Sequence, residues 1–504
     1  MGSTSTRTVV VLGSAYGGSR AAQILAAGIP EGWRIILIDR NSHTNHVYIL
    51  PRLAVLPGHE YKAFIPNTKV FLLEDPTSKP HIRIQAHVTS ITPYSLTLSK
   101  AFPEHGIPST TLPFDYVIYA LGSHLPRPLN LWASDPDVLT MTPNATIKDV
   151  HLPNYRGEKA EGVAWLSAHQ KLIESSPTVL VVGGGALGIQ FTTDIAAVHP
   201  TKQVTLLHSR DRLLPRFDEA MHAEILKTME TFSNIDVILG ERLDLESVNE
   251  EPPKRNEKGQ RVVRTVKGRE IAADLIMLCT GQTPNTELLT AMDPATVNQG
   301  DKLAHVLRTM QLGVLPSSEA EALVDSVKPV PVIETDVPEP THSTIVDPLE
   351  LETALKQLAV ADLEAASTPE EGSSSESTSE GLLSSDEETL VEPVLETPYP
   401  NMFVIGDAAD AFGAIPAGHN AYYQGELAAR NIIRLIKRSS GIEEPLELYK
   451  PGAPAIKVTL GLGRSVYQLE GNIGVSTDQP DDLHAAAIWA YYGIIVKNDD
   501  DMRA

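Results

Sequence analysis

Across 504 residues there is one cysteine, Cys279. A lone thiol excludes an intramolecular disulfide, a Cys-x-x-Cys redox pair and any zinc or iron–sulfur site built from several cysteines. Redox chemistry in this chain therefore has to come from something bound. Basic residues are also scarce: 41 Lys and Arg face 64 Asp and Glu, for a formal net charge of −23. That balance argues against nucleic acid as a partner, because Lys and Arg must replace the counterions of a phosphate backbone. Apolar runs are short. None reaches the roughly 18 residues of a spanning helix, and Met1–Thr8 enters Val9–Leu12 without the cationic and long hydrophobic regions of a secretory signal. Met1-Gly2-Ser3-Thr4-Ser5-Thr6 fits the N-myristoylation pattern and equally suits an ordinary flexible start; one acyl chain would hold a membrane only marginally.

What the sequence does contain is enough apolar material, 42 % of residues, for sizeable cores, and enough length for about three domains. Apolar β-branched runs followed by glycines and helix formers give the rhythm of α/β units around a parallel sheet. The rhythm starts at Thr8–Leu12 and again at Thr178–Val182, which predicts two nucleotide-binding modules. Between Pro316 and Pro398 it gives way to Pro, Glu, Ser and Val. Ala361–Leu390 alone holds nine acidic residues, eight serines and no lysine or arginine. Such a tract repels itself and buries too little to fold, so 316–398 reads as a largely disordered acidic insertion with one short helix near Pro348–Glu364.

The first module runs from the strand Thr8–Leu12 into Gly13-Ser14-Ala15-Tyr16-Gly17-Gly18 and a helix over Ser19–Ala27. This is a Gly-x-Gly-x-x-Gly cradle with Ala15 at its middle position: Gly13 permits the turn, Ala15 is small enough for a pyrophosphate to approach, and Gly18 permits close packing. The next strand, Trp33–Ile38, ends in Asp39, a carboxylate suited to ribose hydroxyls. The second module carries the complete motif Gly183-Gly184-Gly185-Ala186-Leu187-Gly188, but its next strand, Gln203–Leu207, ends in His208-Ser209-Arg210. A basic and hydroxylic end leaves room for a 2′-phosphate, so the residues lean toward NADPH or toward tolerance of both NADPH and NADH. The competing reading is a packed His208 and a solvated Arg210.

Two such modules in one chain suit a bound flavin and a nicotinamide dinucleotide that reduces it. Three further segments carry a family likeness: Tyr116-Val117-Ile118-Tyr119-Ala120-Leu121-Gly122, Leu275–Asn285 with Cys279-Thr280-Gly281, and Asn401-Met402-Phe403-Val404-Ile405-Gly406-Asp407. With them the chain resembles the FAD-dependent pyridine nucleotide–disulfide oxidoreductases, and among these the apoptosis-inducing-factor-like, ferroptosis-suppressor-like NAD(P)H:quinone oxidoreductases. The resemblance covers about 1–315 and 399–504. It implies an α/β fold of the glutathione-reductase type, with two Rossmann-like dinucleotide-binding domains and a small α+β C-terminal domain. The FAD domain is expected over 1–150, 281–315 and 399–447, the inserted NAD(P) domain over 151–280, and the C-terminal cap over 448–504. It further implies FAD contacts from Arg40, Thr44, Pro51, Arg52, Val88, Ala120, Gly122, Gly281 and Gly406, and a bond from Asp407 to the ribityl chain.

In disulfide reductases of this superfamily a cysteine pair follows the first unit; here the matching stretch, Asn41–Leu53, has none. Direct transfer remains, from NADH or NADPH to FAD and on to a small, quinone-like acceptor. Lys62 is a candidate flavin or acceptor contact, and Arg52 either balances charge on the reduced flavin or makes an ion pair. His43 and His46 read as polar lining, without the partners of a metal site. Ala417 opens a helix whose N-terminus is expected to face the flavin, and His419 is a candidate proton donor. A flavin oxidase or monooxygenase, and a redox-sensing interaction protein, stay open as alternatives. So do monomer against homodimer, and a cytoplasmic location against a peripheral membrane or mitochondrion-associated one. The acidic Asn498–Asp501 argues against a deeply inserted C-terminal anchor.

Overall fold

A computed structural model describes residues 6–73, 75, 78–124, 129–132, 152–315, 395–439 and 441–503. The expected short helix, the Gly2 pattern and all but the last few residues of the expected acidic tract lie outside these residues; the strand expected from Tyr399 starts three residues earlier, at Glu396. Strand β1 (Arg7–Leu12), helix α1 (Tyr16–Gly28) and strand β2 (Trp33–Asp39) form the first α/β unit. Val9, Val10, Val11 and Leu12 are fully buried, as a strand covered on both faces of a parallel sheet requires. The sheet has six strands in the order 311–314, 396–404, 116–119, β1, β2 and 82–85. Strand 396–404 lies parallel to 116–119, pairing Phe403 with Ile118, while 311–314 runs antiparallel at the edge. Chain from both ends of the sequence thus completes one sheet.

Between these segments, strand β3 (Thr178–Val182), helix α2 (Ala186–Val198) and strand β4 (Gln203–Leu207) repeat the unit. Their sheet is parallel throughout, in the order 235–238, β4, β3 and 275–278. Helix α3 (Gly418–Arg438) crosses α1 closely. A Cβ on Gly17 would sit 2.6 Å from the carbonyl oxygen of Ala421, so only glycine lets the two backbones approach this far. The C-terminal strands 456–459, 465–469 and 472–476 form an antiparallel sheet, and Val458, Leu460 and Val466 share a core with Val179, Val181 and Ile189 of the second module. The short helix Ala485–Tyr491 instead packs, through Trp489, on Tyr61 and Ile65 of the first. Among the described residues no helix is long and apolar enough to cross a membrane.

Candidate cofactor sites

A cavity of about 500 Å³ follows the C-terminal ends of β1, β2 and strand 116–119, where a doubly wound sheet places its ligand. Its floor is the predicted glycine turn. Gly13 has φ +95° and a Cβ on Gly18 would collide with the carbonyl of Gly13, so β1 enters α1 by a turn that larger residues cannot make. Gly13, Ala15 and Gly17 line the cavity and Gly18 lies behind them. Asp39 and Asp407 both reach the wall, as expected. One Asp39 oxygen accepts from the Ser14 amide at 2.7 Å and the Ser14 hydroxyl at 2.9 Å, and the other from the Asn41 amide at 2.8 Å. Asp407 accepts from Ser123 Oγ at 3.1 Å, and burial raises its pKa while that bond lowers it. Arg40, Thr44, Val88, Ala120, Gly122, Gly406 and Ala417 also line the cavity. Two carboxylates on the wall, a small-residue cradle at a helix N-terminus and a volume of about 500 Å³ fit FAD.

Two neighbours escaped sequence reasoning. Trp132 lines the cavity near Asp39, with the Arg40 guanidinium 4.5 Å over its ring and its indole N–H bonded to Asn41 at 3.0 Å. Tyr16, in the glycine turn itself, lies on the wall and its hydroxyl is 2.9 Å from His46 Nδ1. Burial holds both His43 and His46 neutral, pushing their pKa values down to about 3. His43 lines the cavity, as predicted, and His46 supports Tyr16 from behind.

Besides Gly18 and Gly281, four expected site residues lie off the cavity wall. Lys62 does not line the cavity: its ammonium is buried and paired with Asp482 at 2.7 Å and Asp499 at 2.9 Å, both from the C-terminal segment. Arg52 is also withdrawn. Its fully buried guanidinium pairs with Asp194 of α2 at 2.9 Å and donates to the carbonyl of Gly461 at 2.8 Å, joining three parts of the chain, so its ion-pair reading is the one realised. Pro51 is buried in the first turn of the short helix that carries Arg52. His419 sits half-buried in the first turn of α3, off the cavity wall, with burial lowering its pKa. No sequence signal identified the acidic partners that drew the two cations away, since they lie 142 and 420 residues distant.

The second glycine turn repeats the first. Gly183 has φ +122° and a Cβ on Gly188 would collide with the carbonyl of Gly183. Gly185 is exposed, with nothing within 4 Å of a Cβ, and Ala186 and Leu187 follow half-buried at the start of α2. His208 Nδ1 accepts from the Gly184 amide at 3.0 Å, while Nε2 bonds the carbonyl of Arg212 at 3.1 Å. The two bonds assign the proton to Nε2, and burial lowers the ring's pKa. His208 thus takes the place of Asp39: each stands at the end of the second strand of its unit, Asp39 as its last residue and His208 just after it, and accepts the second amide of its glycine turn. Arg210 is exposed beside it. Gly281, at φ +76°, turns the returning strand outward, and Gln282, not Gly281, reaches the FAD cavity. Cys279 packs beneath Gly183 and Gly188, and burial pushes its thiol pKa up.

The sequence matches the pyridine nucleotide-disulphide oxidoreductase family over residues 7–310. Fe-regulated protein 8 of Mycosarcoma maydis is 33 % identical over 498 residues, covering 98 % of this chain and 96 % of that one. Ferroptosis suppressor protein 1 of Homo sapiens is 27 % identical over 282 residues, covering 54 % of this chain and 62 % of that protein. The solved structure of reduced Bacillus anthracis CoADR-RHD superposes with a TM-score of 0.54 at 16 % identity, over 92 % of this chain and 61 % of that one. With its fold, its two glycine cradles and a match over most of its described length, the chain belongs to the pyridine nucleotide-disulphide oxidoreductase family, whose cofactors are FAD and NAD(P)H.

Proposed function

We propose that this protein is an FAD-dependent NAD(P)H dehydrogenase that reduces a small quinone-type acceptor without a redox-active disulfide. The net reaction is NAD(P)H + H⁺ + quinone → NAD(P)⁺ + hydroquinone. The observation that carries this reading is the pairing of two dinucleotide cradles with a single, half-buried cysteine packed under the second of them. Bound FAD supplies the ability to take a hydride and return its electrons one or two at a time. The chain's own work is placement. Asp39 offers acceptors for an adenosine ribose, the α1 N-terminus for the pyrophosphate, and Asp407 for a ribityl hydroxyl. The Tyr16 phenol and the His46 ring hold a proton between them at the cavity wall.

At the second cradle a neutral imidazole stands where the first has a carboxylate. A 2′-phosphate would meet an imidazole in place of that carboxylate and finds Arg210 nearby, which supports acceptance of NADPH alongside NADH. The quinone rests on the family resemblance, with the ferroptosis-suppressor relatives behind it. Anaerobic titration of the yellow holoprotein with NADH and NADPH, followed separately by a benzoquinone and by air, tests the reading. Both nucleotides should bleach the flavin and the quinone should restore its colour faster than air. Absence of bleaching with either nucleotide refutes the dehydrogenase assignment.

A further inference from the structure

Beside the FAD cavity lies a second, smaller one of about 140 Å³, a volume on the order of five waters. The two share Gly406, Asp407, Pro416, Ala417 and Ala421 as a common wall. The shared wall is at the Asp407–α3 end, opposite Trp132 and Arg40, and so at the end where the redox ring rather than the adenine would lie. The small cavity's remaining surface is mostly apolar: Leu303, Ala411, Ala414 and Ile415. Two charged groups belong to it alone, Asp410 and Arg216. Arg216 comes from the nucleotide domain, between β4 and the helix Glu219–Met229, and donates to the carbonyl of Gly413 at 3.3 Å.

The loop around this cavity is built rigidly. Phe412 and Gly413 have φ +56° and +77°, and the Arg308 guanidinium lies 4.0 Å over the Phe412 ring. Asn420 Nδ2 donates to the carbonyl of Ile415 at 2.8 Å, and Gln424 Oε1 accepts from the Gly406 amide at 2.7 Å. The Asp410 amide donates to the carbonyl of Ala304 at 2.9 Å. A non-glycine residue held at positive φ is conformationally costly, and the surroundings that fix it are a reason to look for function.

Resting on the quinone reading above, we propose that this side cavity binds the ring of a monocyclic quinone, with Arg216 donating to one ring oxygen and Asp410 facing the other. The ligand class follows from the walls. Small apolar side chains suit a flat neutral ring, the volume admits one ring and not a fused system, and a cation with a carboxyl group suits a molecule carrying two oxygens. Burial, with Asp301 and against His305, holds the Asp410 carboxyl above its ordinary pKa, which favours a proton at that oxygen. Because Arg216 belongs to the nucleotide domain, the cavity is complete only with that domain seated against the 409–417 loop.

The test uses the oxidised holoprotein and equilibrium dialysis against a short-chain benzoquinone, alongside turnover with that quinone and with ferricyanide, which needs no ring pocket. Ala414→Phe should fill the cavity and Arg216→Ala should remove its donor. Each should raise the quinone dissociation constant at least tenfold, and raise the quinone KM by the same factor relative to that for ferricyanide. A naphthoquinone or anthraquinone should bind wild type at least tenfold more weakly than the benzoquinone. Arg216 lies on the exposed side, so its variant keeps the test valid should Ala414→Phe fail to fold. Unchanged dialysis in the variants with quinone turnover intact overturns the site and leaves the dehydrogenase standing. A wild-type protein bleached by NAD(P)H that reduces ferricyanide but no quinone overturns the quinone reading itself.

Discussion

If the second site accepts both nucleotides as proposed, His208→Asp should convert it into one that prefers NADH. The perturbation is unusually well controlled because the same chain shows what a carboxylate does at this place: Asp39 accepts the second amide of its glycine turn at 2.7 Å, where His208 accepts the corresponding Gly184 amide at 3.0 Å. The loop bond is therefore retained and the fold is not at risk. What changes is charge. A carboxylate and a phosphate oxygen about 4 Å apart repel by about 4 kcal/mol at an effective dielectric near 20. Exposure of the adjoining Ser209 and Arg210, with screening by salt, should reduce this to about 1.4–2.7 kcal/mol, a 10- to 100-fold loss. The assay is kcat/KM for NADPH and for NADH with ferricyanide as acceptor. NADPH should fall by that factor, while NADH holds or improves slightly through a carboxylate–ribose bond. A ratio that stays within threefold of wild type, with flavin still bound, refutes the equivalence of His208 and Asp39.

Removing the Asp407 carboxylate with Asp407→Ala should weaken FAD retention by about 1.5–3 kcal/mol, or at least tenfold, read as flavin released on dialysis. Asp194→Ala leaves the buried Arg52 guanidinium uncompensated and should cost about 3–5 kcal/mol, seen as a lower urea midpoint, with the apolar double variant Arg52→Met/Asp194→Leu recovering most of the loss. If the single variant stays within about 1 kcal/mol of wild type, the three-way tie through Arg52 is not holding the domains. Acid should destabilise the protein through its buried histidines. His43 and His46, with folded pKa values near 3, and His169, near 4, stay neutral where the unfolded chain takes up protons. Their contribution is present above the unfolded value of about 6.5 and is lost progressively as pH falls below it, at up to about 1.4 kcal/mol per pH unit for each ring. His169→Gln should flatten the urea midpoint's dependence on pH between 6.5 and 4.5.

The glycine turns, both second strands and the Asp407 segment were legible in the sequence because each is a local requirement. A turn at φ +95°, a backbone crossing at Gly17 and a strand buried on both faces all impose residue types within a few positions. The environment of a long cation is set differently. Lys62 and Arg52 sit in the region expected beside the flavin, yet their partners Asp482, Asp499 and Asp194 come from the far end of the chain and from another module. Trp132 was equally invisible: it stands outside every motif and gains its role from Arg40 and Asn41 across the fold.

The withdrawal of those two cations bears on how the site must handle charge. Among the described side chains lining the FAD cavity, Arg40 is the one arginine and there is no lysine, and Arg40 is held over Trp132 at the end away from Asp407. Negative charge developing at the opposite end therefore meets no fixed cation among the described residues of the wall. It meets the start of α3, a 21-residue helix whose first residue, Gly418, lines the cavity. Backbone amides at a helix N-terminus stabilise an anion by less than a buried ion pair does, but they require no counter-anion and do not titrate. Arg52 and Lys62 meanwhile tie the nucleotide domain and the C-terminal segment to the FAD domain. In this chain these two cations do the assembling, and among the described residues it is the backbone at the start of α3 that offers positive potential at the Asp407 end.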